Sequence, residues 1–105
     1  MVRGEIFRIR APRATHGSEQ RGARYAVVVQ ADELLALSTV LVSPTSTAAP
    51  ARSFRPSITI GTNTSRVLVE QTTAVSPDRL GDSIGRLSAS ELRDLDTALA
   101  LVFGL

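Results

Sequence analysis

A chain of 105 residues has room for one domain with one modest hydrophobic core. Its hydrophobic share of 43% argues for a folded protein; the absence of cysteine excludes disulfides and thiolate metal sites, and no apolar run reaches the roughly 18 residues of a membrane-spanning helix. All 12 basic residues are arginine; residues 1–66 hold nine of them against four acids and residues 67–105 hold three against six, so the first two-thirds is the candidate anion-binding surface.

Residues 2–10 alternate apolar and charged side chains, an imperfect strand with one polar face and a bulge near Gly4. This N-terminus lacks the continuous apolar segment of a signal peptide, which predicts a cytoplasmic protein. Residues 11–23 read as a loop punctuated by Pro12, Gly17 and Gly22. Tyr25 to Gln30 is a strand whose unbroken apolar run predicts burial on both faces. One helical turn is predicted over Ala31–Leu37, and a third strand over Ser38–Ser43. Pro44–Arg55 is rich in Pro, Ser, Thr and Ala and reads as a loop. A short strand at Ser57–Ile60 and a turn over Gly61–Ser65 precede a strand over Arg66–Val75. In that strand Val67, Val69 and Gln71 share one face. Ser76 and Pro77 are placed to cap and open a short helical turn ending near Gly81, and Ser83–Leu87 is the last strand. Ser88 and Glu91 form a capping box for a C-terminal helix with Leu92, Leu95, Leu99 and Val102 along one stripe. Short strands at close spacing, closed by one helix, predict a mainly β fold with a C-terminal α-helix: a small, strongly bent sheet or partly open barrel in a single domain.

The chemistry open to such a chain is narrow. One histidine, no cysteine and scattered acids give no metal-ligand spacing, so no metal and no cofactor is expected. Phosphate-binding glycine loops and the G-x-S-x-G elbow are both missing. Any Ser-His-Asp triad would have to use His16, which reads equally well as a solvated loop residue. Arg24 sits where a polar, glycine-broken loop turns into a rigid apolar strand. A guanidinium rooted there is held in place while it faces solvent, which suits it to gripping a phosphate. Cleavage of RNA needs neither a metal nor an enzyme nucleophile, because the substrate's own 2′-hydroxyl attacks. The protein has only to orient that hydroxyl, stabilise phosphorane charge and manage two protons. Arg24 and the hydroxyl of Thr45 can supply the electrostatic part.

Four blocks in order, spanning nearly the whole chain, resemble the MazF/PemK-type toxins of bacterial toxin–antitoxin systems. They are RGEIFRI at 3–9, GSEQRGARYAVVVQAD at 17–32, LVSPTST at 41–47 and VLVEQTTAVSPDRLGDSIGRLSASEL at 67–92. The resemblance implies a CcdB-like, SH3-related barrel with a closing helix, assembled as a homodimer. It implies metal-independent, sequence-specific cleavage of single-stranded RNA to 2′,3′-cyclic phosphate and 5′-hydroxyl ends. It also implies a cognate antitoxin whose acidic, partly disordered C-terminal segment blocks the RNA groove. Arg24 and Thr45 match the family's catalytic pair. Arg13, His16, Glu19, Gln20, Arg21, Ser46, Phe54 and Gln71 are the expected RNA-contacting residues, and Glu19 and His16 are both candidates for the general base. Two departures stand out. Tyr25 occupies the place of the family's usual Pro, which would fix the backbone next to Arg24. Thr72 or Thr73 replaces the Arg that usually follows the Glu-Gln pair, removing a charge. Two other functions suit the same fold: a non-catalytic toxin acting on DNA gyrase, and a catalytically dead module that only binds an antitoxin peptide.

Overall fold

The computed structural model describes residues 1–10 and 24–105, so the predicted loop at 11–23 lies outside the described residues. Among those described, the chain forms strands β1 (Glu5–Ile9), β2 (Tyr25–Val28), β3 (Val40–Ser46), β4 (Ser57–Ile60), β5 (Asn63–Val67), β6 (Thr73–Val75) and β7 (Leu80–Arg86). The helix α1 (Ala89–Phe103) follows. All pairings are antiparallel, in the order β4-β5-β3-β2-β1-β7, with β6 also on β3. The result is a mainly antiparallel half-barrel with one C-terminal helix.

Strand β2 is the spine, and its apolar run is buried on both faces as its composition predicts. Ala26 and Val28 enter a core with Val40, Val42 and Val75; Val27 and Val29 enter a second core with Ile6, Ile58, Val67, Leu87 and Leu95. Alternate residues point to opposite faces of a strand, so one short segment serves both cores. Each fully buried Val or Leu contributes about 1.5–3 kcal/mol.

The second core lies under α1. Ser88 Oγ accepts from Glu91 N at 3.1 Å and Glu91 Oε1 accepts from Ser88 N at 2.9 Å, completing the predicted capping box. The other carboxylate oxygen of Glu91 accepts from Thr59 N of β4 at 2.8 Å, so the cap also ties the helix to the sheet. Leu95 and Ala98 are buried and Leu92 and Leu99 pack against the same core, whereas Val102 stays exposed. Arg3 fastens the helix from below through an ion pair with Asp96 at 2.7 Å and a hydrogen bond from Nε to Val29 O at 2.9 Å. Gly4, with φ +89°, lets the incoming chain pass beneath α1; a Cβ there would sit 3.3 Å from Leu92 Cδ1.

Several sequence boundaries are corrected. The third strand starts at Val40, not Ser38, and runs through Pro44 to Ser46, so Thr45 lies on a strand instead of a loop. The turn after β4 is only Gly61–Thr62, and the predicted strand over 66–75 is two strands separated by a 3₁₀ turn at Val69–Gln71. Val67, Val69 and Gln71 therefore do not share a strand face. The reason is Pro44. In an antiparallel ladder a residue's N–H and C=O point to the same edge; Pro44 O accepts from Leu68 N at 2.8 Å, but Pro44 has no N–H to return. The chain leaves β3 there and rejoins it at Thr73, with Thr72 Oγ1 bonded to Val69 O at 2.7 Å and to Ser43 Oγ at 2.6 Å. The predicted helical turn after β2 is a 3₁₀ turn over Asp32–Leu34. Another covers Pro77–Arg79, with Pro77 opening it but no side-chain cap from Ser76. The last strand starts at Leu80, three residues earlier than predicted. The bulges of β1 fall between Ile6 and Ile9 against β7, beyond Gly4.

Candidate nucleic-acid interface

Arg24 precedes β2 by one residue. Its carbonyl accepts from Ile9 N at 3.0 Å and Tyr25 pairs with Arg8, so β1 holds the backbone that a proline would otherwise stiffen. The Arg8 guanidinium lies 5.5 Å from the Tyr25 ring centroid, and this cation–π contact adds to the hold. Tyr25 thus replaces an internal restraint with a tertiary one.

The side chain of Arg24 lines a cavity of about 370 Å³ whose walls are Ile9, Val42, Pro44 and Val75 and whose polar groups come from Arg10, Gln71, Thr73 and Arg79. Gln71, expected at the interface, shares this cavity with Arg24. Thr45 and Ser46 line a different, larger one of about 740 Å³, together with Tyr25, Thr62, Asn63 and Ser65. Thr45 Oγ1 donates to Tyr25 O at 3.3 Å, and Ser46 Oγ accepts from Ala48 N and Ala49 N, both at 3.1 Å. The register pairs Ala26 with Pro44; continued by one step it sets Tyr25 beside Thr45, so the two cavities adjoin across the β2–β3 end. One is a guanidinium-rich hollow and the other a hydroxyl-rich groove. Phe54 lines neither; it is half-buried, with the Arg55 guanidinium 5.4 Å from its ring centroid.

Arg55 is itself engaged. Its Nε and Nη2 donate to Glu70 Oε2 at 3.0 and 2.6 Å, and this pairing, against a smaller opposing effect of burial, holds the Glu70 carboxyl below the usual carboxylate range. The bond ties the Phe54–Arg55 segment to the 3₁₀ turn that carries Gln71. Arg13, His16, Glu19, Gln20 and Arg21 lie outside the described residues. The residues that sequence reasoning missed are Arg10, Thr73 and Arg79 in the first cavity and Thr62 and Asn63 in the second. Arg10 directly follows β1 and Arg79 stands just before β7, far apart in sequence. Only the N-terminal arginine surplus pointed toward Arg10.

A bent antiparallel half-barrel with a closing helix and an arginine-lined hollow at the loop end of its central strand defines a small toxin-like β protein. The chain matches the PemK-like, MazF-like toxins of type II toxin–antitoxin systems over residues 2–103, and it belongs to that family. It is 34% identical over 106 aligned positions to a Mycobacterium tuberculosis protein provisionally named a toxin, covering 100% of this chain and 99% of that one. Among solved structures it is similar to an endoribonuclease in complex with its cognate antitoxin from a mycobacterial species. That match has a TM-score of 0.83, 20% identity, and coverage of 100% of this chain and 96% of that chain. It is also similar to the M. tuberculosis toxin MazF-mt6, with a TM-score of 0.76, 21% identity and coverage of 96% and 97%. These likenesses establish the fold. Among the described residues no helix is long and apolar enough to cross a membrane.

Proposed function

We propose that the protein is a toxin endoribonuclease that cleaves single-stranded RNA at specific sequences without a metal ion and is neutralised by an acidic antitoxin segment. The observation that carries this reading is Arg24, pinned through its carbonyl by β1 and lining an arginine-rich hollow with apolar walls. Membership of the toxin family, and structural neighbours described as endoribonucleases, support it.

In this reading the RNA crosses the β2–β3 end with the scissile phosphate at Arg24 and a neighbouring nucleotide in the hydroxyl-rich groove. The substrate's O2′ bonds to phosphorus as the bond from phosphorus to O5′ breaks. The 2′-hydroxyl proton goes to a base and a proton is delivered to the leaving O5′, giving a 2′,3′-cyclic phosphate and a 5′-hydroxyl. Arg24 stabilises the added charge on the phosphorane with its two-pronged guanidinium and is the candidate donor of the proton to O5′. Thr45, released from the Tyr25 carbonyl by a rotation about χ1, donates to the RNA strand from the adjacent groove. Glu19 and His16 remain the candidates for the base.

The test is Arg24→Ala, assayed on a panel of single-stranded RNAs in chelator-containing buffer, with cyclic-phosphate ends as the readout. Cleavage falls by at least about 100-fold while circular dichroism and melting temperature stay at parental values. Undiminished cleavage by the variant removes Arg24 from the site. A parent protein that leaves every RNA intact overturns the enzymatic reading itself.

A further inference from the structure

Arg10 and Arg79, which line the cavity with Arg24, clasp each other. Arg10 N donates to Arg79 O at 3.0 Å; Arg79 Nε and Nη2 both donate to Arg10 O, at 3.1 and 2.7 Å; and Arg10 Nη2 donates to Asp78 O at 2.8 Å. The partners of both guanidiniums are thus backbone carbonyls. Asp78 stands next to the pair yet offers its carbonyl, and among the described residues no carboxylate comes within 4.0 Å of Arg10, Arg24 or Arg79. Three positive charges line one small cavity with apolar walls of Ile9, Val42, Pro44 and Val75. Like charges gathered against low-dielectric walls focus a positive potential and favour an anion from solution.

Thr73 gives the pair its meaning. The resemblance to the toxin family left open whether Thr72 or Thr73 replaces an arginine. Thr72 is occupied with Ser43 and Val69, while Thr73 lines the arginine cavity. Arg10, just after β1, and Arg79, in the turn before β7, bring positive charge to the cavity that Thr73 lines.

We propose that Arg10 and Arg79 form a second phosphate grip, holding the phosphodiester next to the one at Arg24 in single-stranded RNA. This rests on the endoribonuclease reading for its substrate but not for its geometry. Arg79 is locked in plane by its two bonds from Nε and Nη2 to one carbonyl, which holds its remaining Nη1–Nη2 edge in a fixed orientation suited to the regularly spaced phosphates of a nucleic-acid strand. Carboxylates on the mobile side chains of an acidic peptide require no such fixed spacing.

The probe is a short, fully 2′-O-methylated single-stranded oligonucleotide of mixed sequence, which cannot be cleaved. Its dissociation constant is measured from about 50 to 200 mM salt for the parent, Arg10→Gln and Arg79→Gln. Loss of one phosphate contact lowers the slope of log affinity against log salt by about 0.7, and weakens binding several-fold at the low-salt end. Arg10→Gln serves as the second variant if Arg79→Gln impairs folding, because the Arg10 side chain is exposed and makes a single hydrogen bond among the described residues. With cleavable RNA, both variants raise KM and leave kcat within about threefold, the pattern of lost uniform binding. Unchanged salt slopes overturn the grip. So does weakened binding of a glutamate-rich peptide with oligonucleotide binding intact, which would assign the pair to an antitoxin. A parent that binds the oligonucleotide with the expected slopes but cleaves no RNA overturns the enzymatic reading and leaves the grip standing. A parent that cleaves, with slopes unchanged in both variants, does the reverse.

Discussion

At the scale of single residues, the paired carboxylates set how the protein responds to acid. Glu70 is lowered chiefly by the Arg55 guanidinium. Glu5 is lowered chiefly by the hydrogen bond from Ser83 Oγ at 2.6 Å, with Val2 N donating to its other oxygen. A carboxyl whose pKa is depressed on folding contributes its full stabilisation above the unfolded value and loses it as the pH falls through the folded one. Stability therefore declines as the pH falls below about 4.5, the ordinary value, and through the lower folded values. Both groups are partly open to solvent, so each contributes at most about 1 kcal/mol. Calorimetric melts of the parent across this window show a falling midpoint. Glu70→Gln starts lower at neutral pH and falls less, Glu5 accounting for part of the remaining slope. An identical acid shift in both proteins would mean that the Arg55–Glu70 pair carries no pH-dependent stability.

Among the elements, α1 is where sequence pattern and tertiary burial can be separated. Its stripe repeats through Leu92, Leu95, Leu99 and Val102, but Leu95 is fully buried while Val102 is 37% exposed. Leu95→Ala leaves a cavity between the helix and β2 and costs about 2–5 kcal/mol. Val102→Ala costs well under half of that in the isolated chain. Ser88→Ala removes one arm of the capping box and costs about 1 kcal/mol, a fall in midpoint of about 4–8 °C for a domain of this size. Urea denaturation of the three variants checks the ranking. A Val102→Ala loss equal to that of Leu95→Ala would mean that the end of the helix is covered in solution.

For the whole molecule, that covering matters because the end of α1 is unusually apolar. Phe103 is 60% exposed and Leu105 is 94% exposed, and with Leu41 and Leu99 they line a shallow, largely apolar hollow of about 330 Å³. We propose that a second copy of the chain covers this surface, in line with the homodimer that the family resemblance implies. Sedimentation at micromolar concentration then gives a dimer for the parent and a monomer for Phe103→Glu, whose charge would be buried without a partner. A monomeric parent sinks the proposal.

Much of this was readable one residue at a time. The β2 run, the capping box, Pro77 at its turn and the order of strands and helix all followed from local rules, because side-chain periodicity and backbone capping act within a few neighbouring residues. The position of Arg24 directly before β2 was legible for the same reason, because a loop-to-strand junction is a local feature. The break at Val69–Gln71 was not, because it comes from Pro44, some two dozen residues earlier, withholding a ladder bond across the sheet. Nor was the separation of Arg24 and Thr45 into adjoining cavities, since it depends on which neighbour β3 pairs with on either side of that proline. The joining of Arg10 to Arg79 also needed the fold, because antiparallel pairing of β1 with β7 brings together residues that share no sequence window. The sequence by itself determined most of the secondary elements, the family and the arginine surplus of the N-terminal two-thirds. Tertiary structure alone decided which of those cations share one cavity, because hydrogen bonds between distant strands set that neighbourhood.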